Sequence, residues 1–213
     1  MIKAVLFDFD GVIADTESSN SDFFCRALAN HGVTLTERER IAMIGTHDHE
    51  MILSYIRRCD PPVSYEEFLK ERMALGTTYE DTDIRPEPGL LSVLHTLRER
   101  KIKTAVVSST TTKLIVTALN RMNMMSLFDA IVCGDMTAKH KPDPLPYLKT
   151  MDLLGAAPEE CVVVEDSGIG ISSGKAAGAF VAAYLGTDGH QDVSLADAVF
   201  RHFDDFLKKT QLG

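Results

Sequence analysis

The feature that most constrains the fold of this chain is a series of short, almost continuously apolar segments. They span residues 4–9, 104–107, 130–133, 161–164 and 180–184, and polar residues follow each of them. Their length and unbroken apolarity are typical of strands that are buried on both faces of a parallel sheet. Segments with helical spacing of apolar residues lie between them, for example over 114–122 and 147–154. We therefore predict an α/β fold with a Rossmann-like parallel sheet and helices on both faces.

One long interval lacks such strand-like segments. Between residues 15 and 83 the sequence contains only helix-like segments, near 18–31, 36–43, 48–58 and 65–79. Residues 85–89 follow, and their two prolines and one glycine indicate a stiff turn. We predict a small all-helical cap domain, residues 15–87, inserted after the first strand of an α/β catalytic core formed by 1–14 and 88–213. A domain inserted there lies over the carboxyl edge of the strands, where open α/β sheets bind ligands.

Charge and composition exclude several classes of partner. The 213 residues contain 22 Lys+Arg and 31 Asp+Glu, for a net charge of −9, so we expect neither nucleic acid nor an anionic membrane as a partner. No apolar stretch approaches the ~20 residues that a membrane span needs, and Asp8 interrupts any signal-peptide core. The four cysteines are far apart and form no C-x-x-C pair. We expect a cytoplasmic protein with reduced thiols, and its oligomeric state stays open.

Acidic residues follow two of the predicted strands. Asp8 and Asp10 are two residues apart, so an extended chain places both carboxylates on one face. Glu165 and Asp166 follow the strand at 161–164. If these strand ends converge, each pair of like charges ~4 Å apart costs about 4 kcal/mol at a near-surface dielectric, so the pocket needs a cation. A ligand set made only of oxygen atoms suits Mg²⁺.

Hydroxyl and ammonium groups occupy the corresponding positions after the other two strands. Ser108 and Ser109 follow the strand at 104–107, and Lys141 comes after the strand at 130–133. A hydroxyl, a lysine and a divalent cation that face a carboxylate nucleophile form a site suited to phosphoryl transfer. The sequence therefore indicates a phosphoryl-transfer enzyme.

These motifs resemble those of a known family. The segment Asp8-Phe9-Asp10-Gly11-Val12-Ile13-Ala14-Asp15-Thr16-Glu17 resembles the first motif of the haloacid dehalogenase superfamily. It is most similar to the branch of β-phosphoglucomutase and small sugar-phosphate phosphatases. Ser108, Lys141 and the Glu165-Asp166-Ser167 segment coincide with the second, third and fourth motifs. Order and spacing agree over the whole chain, and the predicted helical insertion lies where this family inserts its first cap.

The resemblance implies a role for each of these residues. Asp8 would attack phosphorus and become an aspartyl-phosphate, while Asp10 would act as general acid and then as general base. The implied phosphate-binding residues are Ser108 and Lys141, joined by Ser109 at the start of the following helix. The implied ligands of a Mg²⁺ cofactor are Asp8, Asp10 (through its carbonyl), Glu165 and Asp166.

The choice between a phosphatase and a mutase depends on the cap. Mutases of this family place a His shortly after the first motif, an Arg three residues after a cap Gly, and often a Lys three residues after the second motif. Here these positions read Ser18-Ser19-Asn20-Ser21, Asp48 after Gly45, and Thr111. Each departure removes a positive charge or a polar group from the site of a second phosphate. We therefore expect a phosphatase acting on a small phosphorylated metabolite, with a sugar phosphate as first choice. A β-phosphoglucomutase-type mutase is the alternative, and a binding module without turnover is the third.

Other motifs receive a structural interpretation. Residues 168–174 resemble a dinucleotide fingerprint, but the acidic residues Glu165 and Asp166 before them would repel a pyrophosphate. We interpret these glycines as allowing a helix to pack closely on the sheet. His47 and His49, two residues apart, point to different helix faces and do not form a metal pair. An alternative role for the hydroxyls that follow the second strand is to cap the next helix; these residues are Ser109, Thr110 and Thr111. The cap residues Arg57, Arg58, Lys70 and Arg72 are interpreted as solvated, with substrate contact as the alternative.

Overall fold

A single parallel sheet forms the centre of the α/β unit. The computed structural model describes residues 1–43, 49–186, 192–210 and 212. The strands are β1 (Ala4–Phe7), β2 (Lys103–Val107), β3 (Ala130–Val132), β4 (Cys161–Glu165), β5 (Phe180–Tyr184) and β6 (Ala198–Phe200). They form one six-stranded sheet in the order β3-β2-β1-β4-β5-β6, and every neighbouring pair is parallel. The predicted parallel sheet is confirmed.

Helices connect the first five strands, and one more helix follows β6. In chain order they are α1 (Glu17–Asn30), α2 (Glu37–Met43), α3 (His49–Ile56), α4 (Tyr65–Ala74), α5 (Thr78–Asp81), α6 (Leu90–Glu99), α7 (Thr112–Arg121), α8 (Leu145–Leu154), α9 (Gly168–Ala176) and α10 (Phe203–Lys209). Helix α8 ends where the sequence predicts, because Gly155 adopts the left-handed conformation (φ 64°) that closes a helix. Within the described ranges, no helix is long and apolar enough to cross a membrane.

Helices cover both faces of the sheet. Successive side chains of a strand point to opposite faces, so apolar residues on both faces need a covering layer. Ala4 and Leu6 of β1 point to the face covered by α8 and α9, where they pack with Tyr147, Met151 and Ile171. Phe7 points to the opposite face, and its ring centroid lies 6.2 Å from that of Phe206 in α10. Helix α10 in turn packs against α6. The strands are therefore buried on both sides, which explains why their sequences are almost continuously apolar.

The strand order reverses between β1 and β4. The chain proceeds from β1 through β2 to β3 in one direction and then starts again at β4 on the other side of β1. The backbone N–H of Asp8 donates to the carbonyl of Val164 at 2.9 Å, so the chain remains paired just beyond the end of β1. Such a reversal opens a crevice at the carboxyl ends of the two strands, where α/β proteins bind ligands.

Residues 16–83, which lie between β1 and α6, form a separate helical unit. The chain divides into Thr16–Asp83 and a second unit of Met1–Asp15 with Ile84–Gly213. The predicted boundaries, 15–87 and 1–14 with 88–213, stay a prediction. Helix α1 packs against α2 and α4, and α3 packs against α4. Their buried apolar side chains are Phe24, Ala27, Leu28, Val33, Leu35, Met43, Tyr55, Ile56, Cys59 and Phe68. This helical unit thus has a hydrophobic core of its own.

Two elements differ from the sequence prediction. The helix predicted over 65–79 is two helices, because Gly76, with a φ of 116°, interrupts it; Thr77 then caps α5, its hydroxyl accepting a hydrogen bond from the N–H of Glu80 at 3.1 Å. Strand β6 was not predicted at all. It has only three residues, Ala198, Val199 and Phe200, so its apolar run is too short to indicate a strand.

Candidate active site

Lys141 connects two of the predicted acidic residues at the carboxyl edge of the sheet. Its Nζ donates to Oδ1 of Asp8 at 2.5 Å and to Oε1 of Glu165 at 2.6 Å. A third hydrogen bond, 2.9 Å long, goes to the carbonyl of Val107 at the end of β2. The side chains of Lys141 and Glu165 are 5% and 0% exposed, so these ion pairs lie almost entirely out of water. The ends of β1, β2 and β4 are thereby joined by one ammonium group.

Glu165 is surrounded by hydrogen-bond donors. Besides Lys141, its Oε1 accepts from the hydroxyl of Tyr147 at 2.9 Å. Its Oε2 accepts from the backbone N–H groups of Asp166 and Ser167 at 3.1 and 3.2 Å and from the Ser167 hydroxyl at 3.0 Å. A carboxylate offers about four lone-pair positions, so both oxygens of Glu165 are fully used. Glu165 therefore holds Lys141 and the turn after β4 in place.

Two glycines leave room for these carboxylates. A Cβ atom on Gly170, in the first turns of α9, would overlap the carboxylate of Glu165. Gly11 adopts a positive φ of 78°, and a Cβ there would overlap the carboxylate of Asp166. The sequence suggested that the glycines of 168–174 serve close packing on the sheet. Gly174 does so, but Gly170 accommodates the site itself, since its Cβ position faces a carboxylate rather than a strand.

Asp10 lies against hydroxyl groups that follow β2. Its Oδ2 accepts from the Ser108 hydroxyl at 3.4 Å and from the Thr110 hydroxyl at 3.2 Å. The backbone N–H of Thr110 donates to the Ser108 oxygen at 3.0 Å, which fixes the turn after β2. Ser108 is buried, whereas Ser109 beside it is exposed. The structure therefore brings Asp10 and Ser108 together and leaves Ser109 facing solvent.

Helix α7, which follows these hydroxyls, is capped by a side chain from a different loop. Its N-cap residue, Thr111, makes no side-chain hydrogen bond to the helix. Instead, Oδ1 of Asp135 accepts from the backbone N–H of Thr112 at 2.9 Å and from its hydroxyl at 2.7 Å. Thr111 is therefore the N-cap residue of α7, as the capping alternative expected, but the side chain that satisfies the first turn is Asp135, from the loop after β3.

Burial controls the charges of this site. It raises the pKa of the Asp8 carboxyl to about 8, and although Lys141 opposes this shift, Glu165 and Asp10 add to it. Burial alone would lower the pKa of Lys141, but Asp8 and Glu165 outweigh it and hold the pKa well above its ordinary value. Lys141 is therefore charged at neutral pH, whereas Asp8 lies where further positive charge would be stabilising.

The donor set fits a hard divalent cation. Carboxylate oxygens of Asp8, Glu165 and Asp166 lie within 4.8 Å of one another, and Lys141 neutralises only part of their charge. Ligands made only of oxygen favour Mg²⁺ over softer metals. Because the oxygens of Glu165 are already used by donors, Asp8 and Asp166 are the side chains best able to accept a cation here.

Most of the chain matches the model of one protein family. The model of the haloacid dehalogenase-like hydrolases matches residues 5–184, a range that runs from β1 to the end of β5. The chain belongs to the haloacid dehalogenase-like hydrolases. The resemblance found in the sequence motifs is thereby confirmed, and the chain is an enzyme of this hydrolase family.

Several haloacid dehalogenase-like relatives are close in sequence or structure. A phosphorylated carbohydrates phosphatase from Thermotoga maritima is 30% identical over 177 residues, which are 83% of this chain and 82% of that protein. The crystal structure of a Thermotoga maritima protein provisionally assigned as a β-phosphoglucomutase has a TM-score of 0.82 at 26% identity, and covers 99% of both chains. CbbY from Rhodobacter sphaeroides, in complex with xylulose-(1,5)bisphosphate, has a TM-score of 0.74 at 27% identity over 95% of both chains.

Sequence reasoning missed one residue that supports this site. Tyr147 occupies an apolar position of α8, and its spacing indicates only core packing, yet its hydroxyl contacts Glu165 and its ring centroid lies 5.0 Å from Nζ of Lys141. Thr110 was noted from sequence as a hydroxyl that follows β2, and the structure places its hydroxyl with that of Ser108 against Asp10. The only available signal for Tyr147 was a phenol hydroxyl in an otherwise apolar stretch, since a buried Tyr usually needs a polar partner.

Some of the motif positions lie outside the described residues. These are Gly45, Thr46, His47 and Asp48, on which part of the distinction between phosphatase and mutase depends. His49 is described and begins α3, where its ring packs edge-on against Tyr65 with 4.8 Å between ring centroids.

Proposed function

We propose that this hydrolase is a Mg²⁺-dependent phosphatase that cleaves a small phosphorylated metabolite through an aspartyl-phosphate intermediate. The observation that carries the proposal is the buried Lys141 ammonium held between Asp8 and Glu165 at the point where the strand order reverses. A cation beside a carboxylate in a water-poor site makes attack on an anionic phosphoryl group feasible.

Asp8 is the proposed nucleophile. One of its oxygens attacks phosphorus, the bond from phosphorus to the leaving oxygen breaks, and the phosphoryl group is transferred to the carboxylate. Lys141 keeps its contact with Asp8 and balances the negative charge of the phosphoryl oxygens. Ser108 and Ser109, with the backbone N–H groups beside them, are proposed to hold those oxygens after β2.

Asp10 is the proposed general acid and base. It donates a proton to the leaving oxygen in the first step and accepts a proton from the attacking water in the second. Water then displaces the Asp8 carboxylate from phosphorus, which restores the enzyme and releases inorganic phosphate. The hydroxyls of Ser108 and Thr110, 3.4 and 3.2 Å from Oδ2 of Asp10, orient this carboxyl group.

The predicted Mg²⁺ ligands are Asp8, the carbonyl of Asp10, Glu165 and Asp166. We propose that Asp8, Asp166 and the Asp10 carbonyl contact the ion, and that Glu165 acts by holding the turn after β4, because its oxygens already accept five hydrogen bonds. When bound, Mg²⁺ supplies positive charge that stabilises the transferring phosphoryl group.

A sugar phosphate is the proposed substrate class. The support comes from the phosphorylated carbohydrates phosphatase among the relatives and from the CbbY structure that holds a sugar bisphosphate. The mutase alternative is tested together with this proposal, since the chain also resembles a protein provisionally assigned as a β-phosphoglucomutase.

The experiment measures phosphate release from a panel of sugar phosphates, phosphoglycolate and nucleotides, with Mg²⁺ and with EDTA. β-Glucose 1-phosphate is included alone and with glucose 1,6-bisphosphate, and glucose 6-phosphate is measured as a product. We expect Mg²⁺-dependent phosphate release from one substrate class, lost in Asp8→Asn. Glucose 6-phosphate formed without phosphate release would show a mutase, and release that persists in EDTA or in Asp8→Asn would contradict the mechanism.

A further inference from the structure

A small cavity at the amino edge of the sheet is lined by three cationic side chains. It has a volume of about 130 Å³ and lies where α6 ends and where β2 and β3 begin. Its charged lining residues are Arg98 in the last turn of α6, Lys101 in the turn that follows, Lys103 at the start of β2 and Asp129 just before β3. Three cations and one carboxylate leave the cavity with an excess of positive charge, although the whole chain has a net charge of −9.

Two of these cations are held in place by backbone carbonyls. Nη2 of Arg98 donates to the carbonyl of Ser126 at 2.7 Å, and Nζ of Lys103 donates to the carbonyl of Leu154 at 2.7 Å. A guanidinium has five N–H donors and an ammonium has three, so both groups keep donors for a ligand. Among the residues that the structure describes, none of the three cations forms an ion pair. Their charge is therefore left for a ligand to balance.

The carboxylate in the cavity is used by the backbone. Oδ2 of Asp129 accepts from the N–H of Thr104 at 2.8 Å, and the N–H of Asp129 donates to the carbonyl of Thr104 at 2.7 Å. These two hydrogen bonds join the first residues of β2 to the segment before β3. Asp129 therefore serves the pairing of the two strands rather than the neutralisation of the cations.

Lys101 adopts a backbone conformation that lysine rarely takes. Its φ is 59°, in the left-handed region, and its N–H donates to the carbonyl of Arg98 at 2.9 Å. The N–H of Ile102 donates to the carbonyl of Leu97 at 2.9 Å, which completes the closing turn of α6. Helix α7 ends with the same pattern of hydrogen bonds, but there Asn123 occupies the left-handed position, with a φ of 58°. Gly and Asn are favoured at such a position, whereas the Cβ of a lysine makes it costly.

The end of α6 does not need Lys101 for its charge. Cations are favourable near the C-terminus of a helix, but Arg98 and Arg100 already provide them there. Unfavourable backbone conformations persist where the side chain has a task, often in contact with a ligand. The place of Lys101 in the lining of the cavity, as its third cation, supplies such a task.

We propose that Arg98, Lys101 and Lys103 bind a doubly charged tetrahedral oxyanion, phosphate or sulfate, in this cavity. Two negative charges would balance the excess positive charge, and guanidinium and ammonium groups form charge-assisted hydrogen bonds with oxyanions. The volume of about 130 Å³ is about four times the share of one water molecule in the liquid, which leaves room for one small ion.

This oxyanion site is separate from the proposed active site. All of its residues belong to the α/β unit, and they lie at the amino end of β2, whereas Lys141 contacts the carbonyl of Val107 at the other end of that strand. Lys103 and Val107 are the first and last residues of β2, so about 13 Å separates them at about 3.3 Å per residue. The two sites share no residue, so the proposal does not depend on the function proposed above.

Lys101→Gly is the sharpest test, because it removes a cation from the cavity and at the same time relieves the backbone. Glycine adopts the left-handed conformation without steric cost, so the variant should fold at least as stably as the wild type. Asn123→Gly is the matched control, since it introduces glycine at the equivalent position of α7, outside the cavity. Lys101→Arg keeps a cation at the position and should keep the binding of the oxyanion.

The measurement is a titration with sodium phosphate or sodium sulfate, followed by two-dimensional amide NMR in EDTA at a slightly alkaline pH, where phosphate is a dianion. In the wild type, the amide signals of residues 101–104 and 127–129 should shift and saturate. Lys101→Gly should bind the anion about tenfold or more weakly, judged from the remaining signals of the same residues. The affinities of Lys101→Arg and Asn123→Gly should stay within about threefold of the wild type.

Sodium chloride at the same ionic strength is the control for charge screening. Equal shifts of these residues with chloride would overturn the proposal, as would equal affinities of Lys101→Gly and Asn123→Gly or the absence of any shift in the wild type. Shifts confined to residues 8–11 and 108–110 would place the anion at the active site alone and would also overturn it. Because the titration needs no turnover, its outcome and that of the phosphatase assay are independent.

Discussion

The hydroxyl of Tyr147 offers a clean test of how the buried charges are held. Tyr147 and Glu165 are both fully buried, and the hydroxyl donates to Oε1 of Glu165 at 2.9 Å. Tyr147→Phe deletes this donor and nothing else. The ring would remain 5.0 Å from Nζ of Lys141, so the cation–π contact is preserved. Burial and the charge of Glu165 hold the pKa of Tyr147 well above its ordinary value, so the hydroxyl is a donor at every working pH.

The loss of stability follows from the charge of the acceptor. A hydrogen bond to an ionised group contributes about 1.5–3 kcal/mol, compared with about 1 kcal/mol for a neutral pair. For a domain of this size about 2–4 °C of Tm corresponds to each kcal/mol, so Tyr147→Phe should lower the Tm by about 3–12 °C. The remaining donors of Glu165, above all Lys141, keep the loss from becoming larger.

The measurement is urea unfolding and differential scanning calorimetry of wild type and variant at neutral pH. Tyr55→Phe is the matched control: Tyr55 is also buried, but its hydroxyl makes no hydrogen bond to the described residues. The control should change the free energy of unfolding by less than about 0.5 kcal/mol. If Tyr147→Phe is as stable as Tyr55→Phe, the hydroxyl does not stabilise an ionised Glu165, and our account of these buried charges is wrong.

Two further substitutions test the site and the sheet edge. Gly170→Ala should lower the free energy of unfolding by about 1–3 kcal/mol and reduce phosphatase activity at least tenfold, because the Cβ of the new alanine would displace the carboxylate of Glu165. The same substitution in an open helix is stabilising. Full phosphatase activity in Gly170→Ala would contradict this reasoning. Asp197→Asn should cost about 1 kcal/mol at neutral pH, because Asp197 accepts from Lys175 at 2.6 Å and from the N–H of Val181 at 2.8 Å. Burial raises the pKa of Asp197, but the hydrogen bonds from Lys175 and Val181 outweigh burial and lower this pKa. The contribution of Asp197 to the free energy of unfolding is therefore complete above the ordinary carboxyl pKa and is lost as the pH falls through the lowered pKa. Urea unfolding should therefore separate Asp197→Asn from wild type at pH 7 and no longer do so in strong acid.

The sequence was most informative where one physical rule decided the outcome. Strands β1, β2, β4 and β5 were predicted because burial on both faces requires an unbroken apolar run. The apolar run of β6 is only three residues long, and Val199 in its middle faces solvent, so the sequence did not indicate a strand there. The division of the helix predicted over 65–79 depends on the positive φ of Gly76 and on the capping hydroxyl of Thr77, two local signals that the apolar spacing around them conceals.

The acidic residues of the site were predictable because motif order and strand ends locate them. Their supporting partners were not, because those contacts join distant parts of the chain. Tyr147 reaches Glu165 from α8, and Asp135 caps α7 from the loop after β3. The half-buried state of Arg72 likewise depends on the packing of α1 against α4, which no spacing in the sequence reveals.

The most direct test of the central claim is to trap the proposed intermediate on Asp8. In Asp10→Asn the general acid and base is removed, and p-nitrophenyl phosphate has a leaving group that needs no protonation. With Mg²⁺ present, we predict a rapid burst of p-nitrophenolate close to one equivalent per enzyme, slow turnover afterwards, and a phosphoryl group on the peptide that contains Asp8 when the quenched enzyme is analysed by mass spectrometry. A steady rate without a burst, or a phosphoryl group on any other residue, would contradict the assignment of Asp8 as the nucleophile.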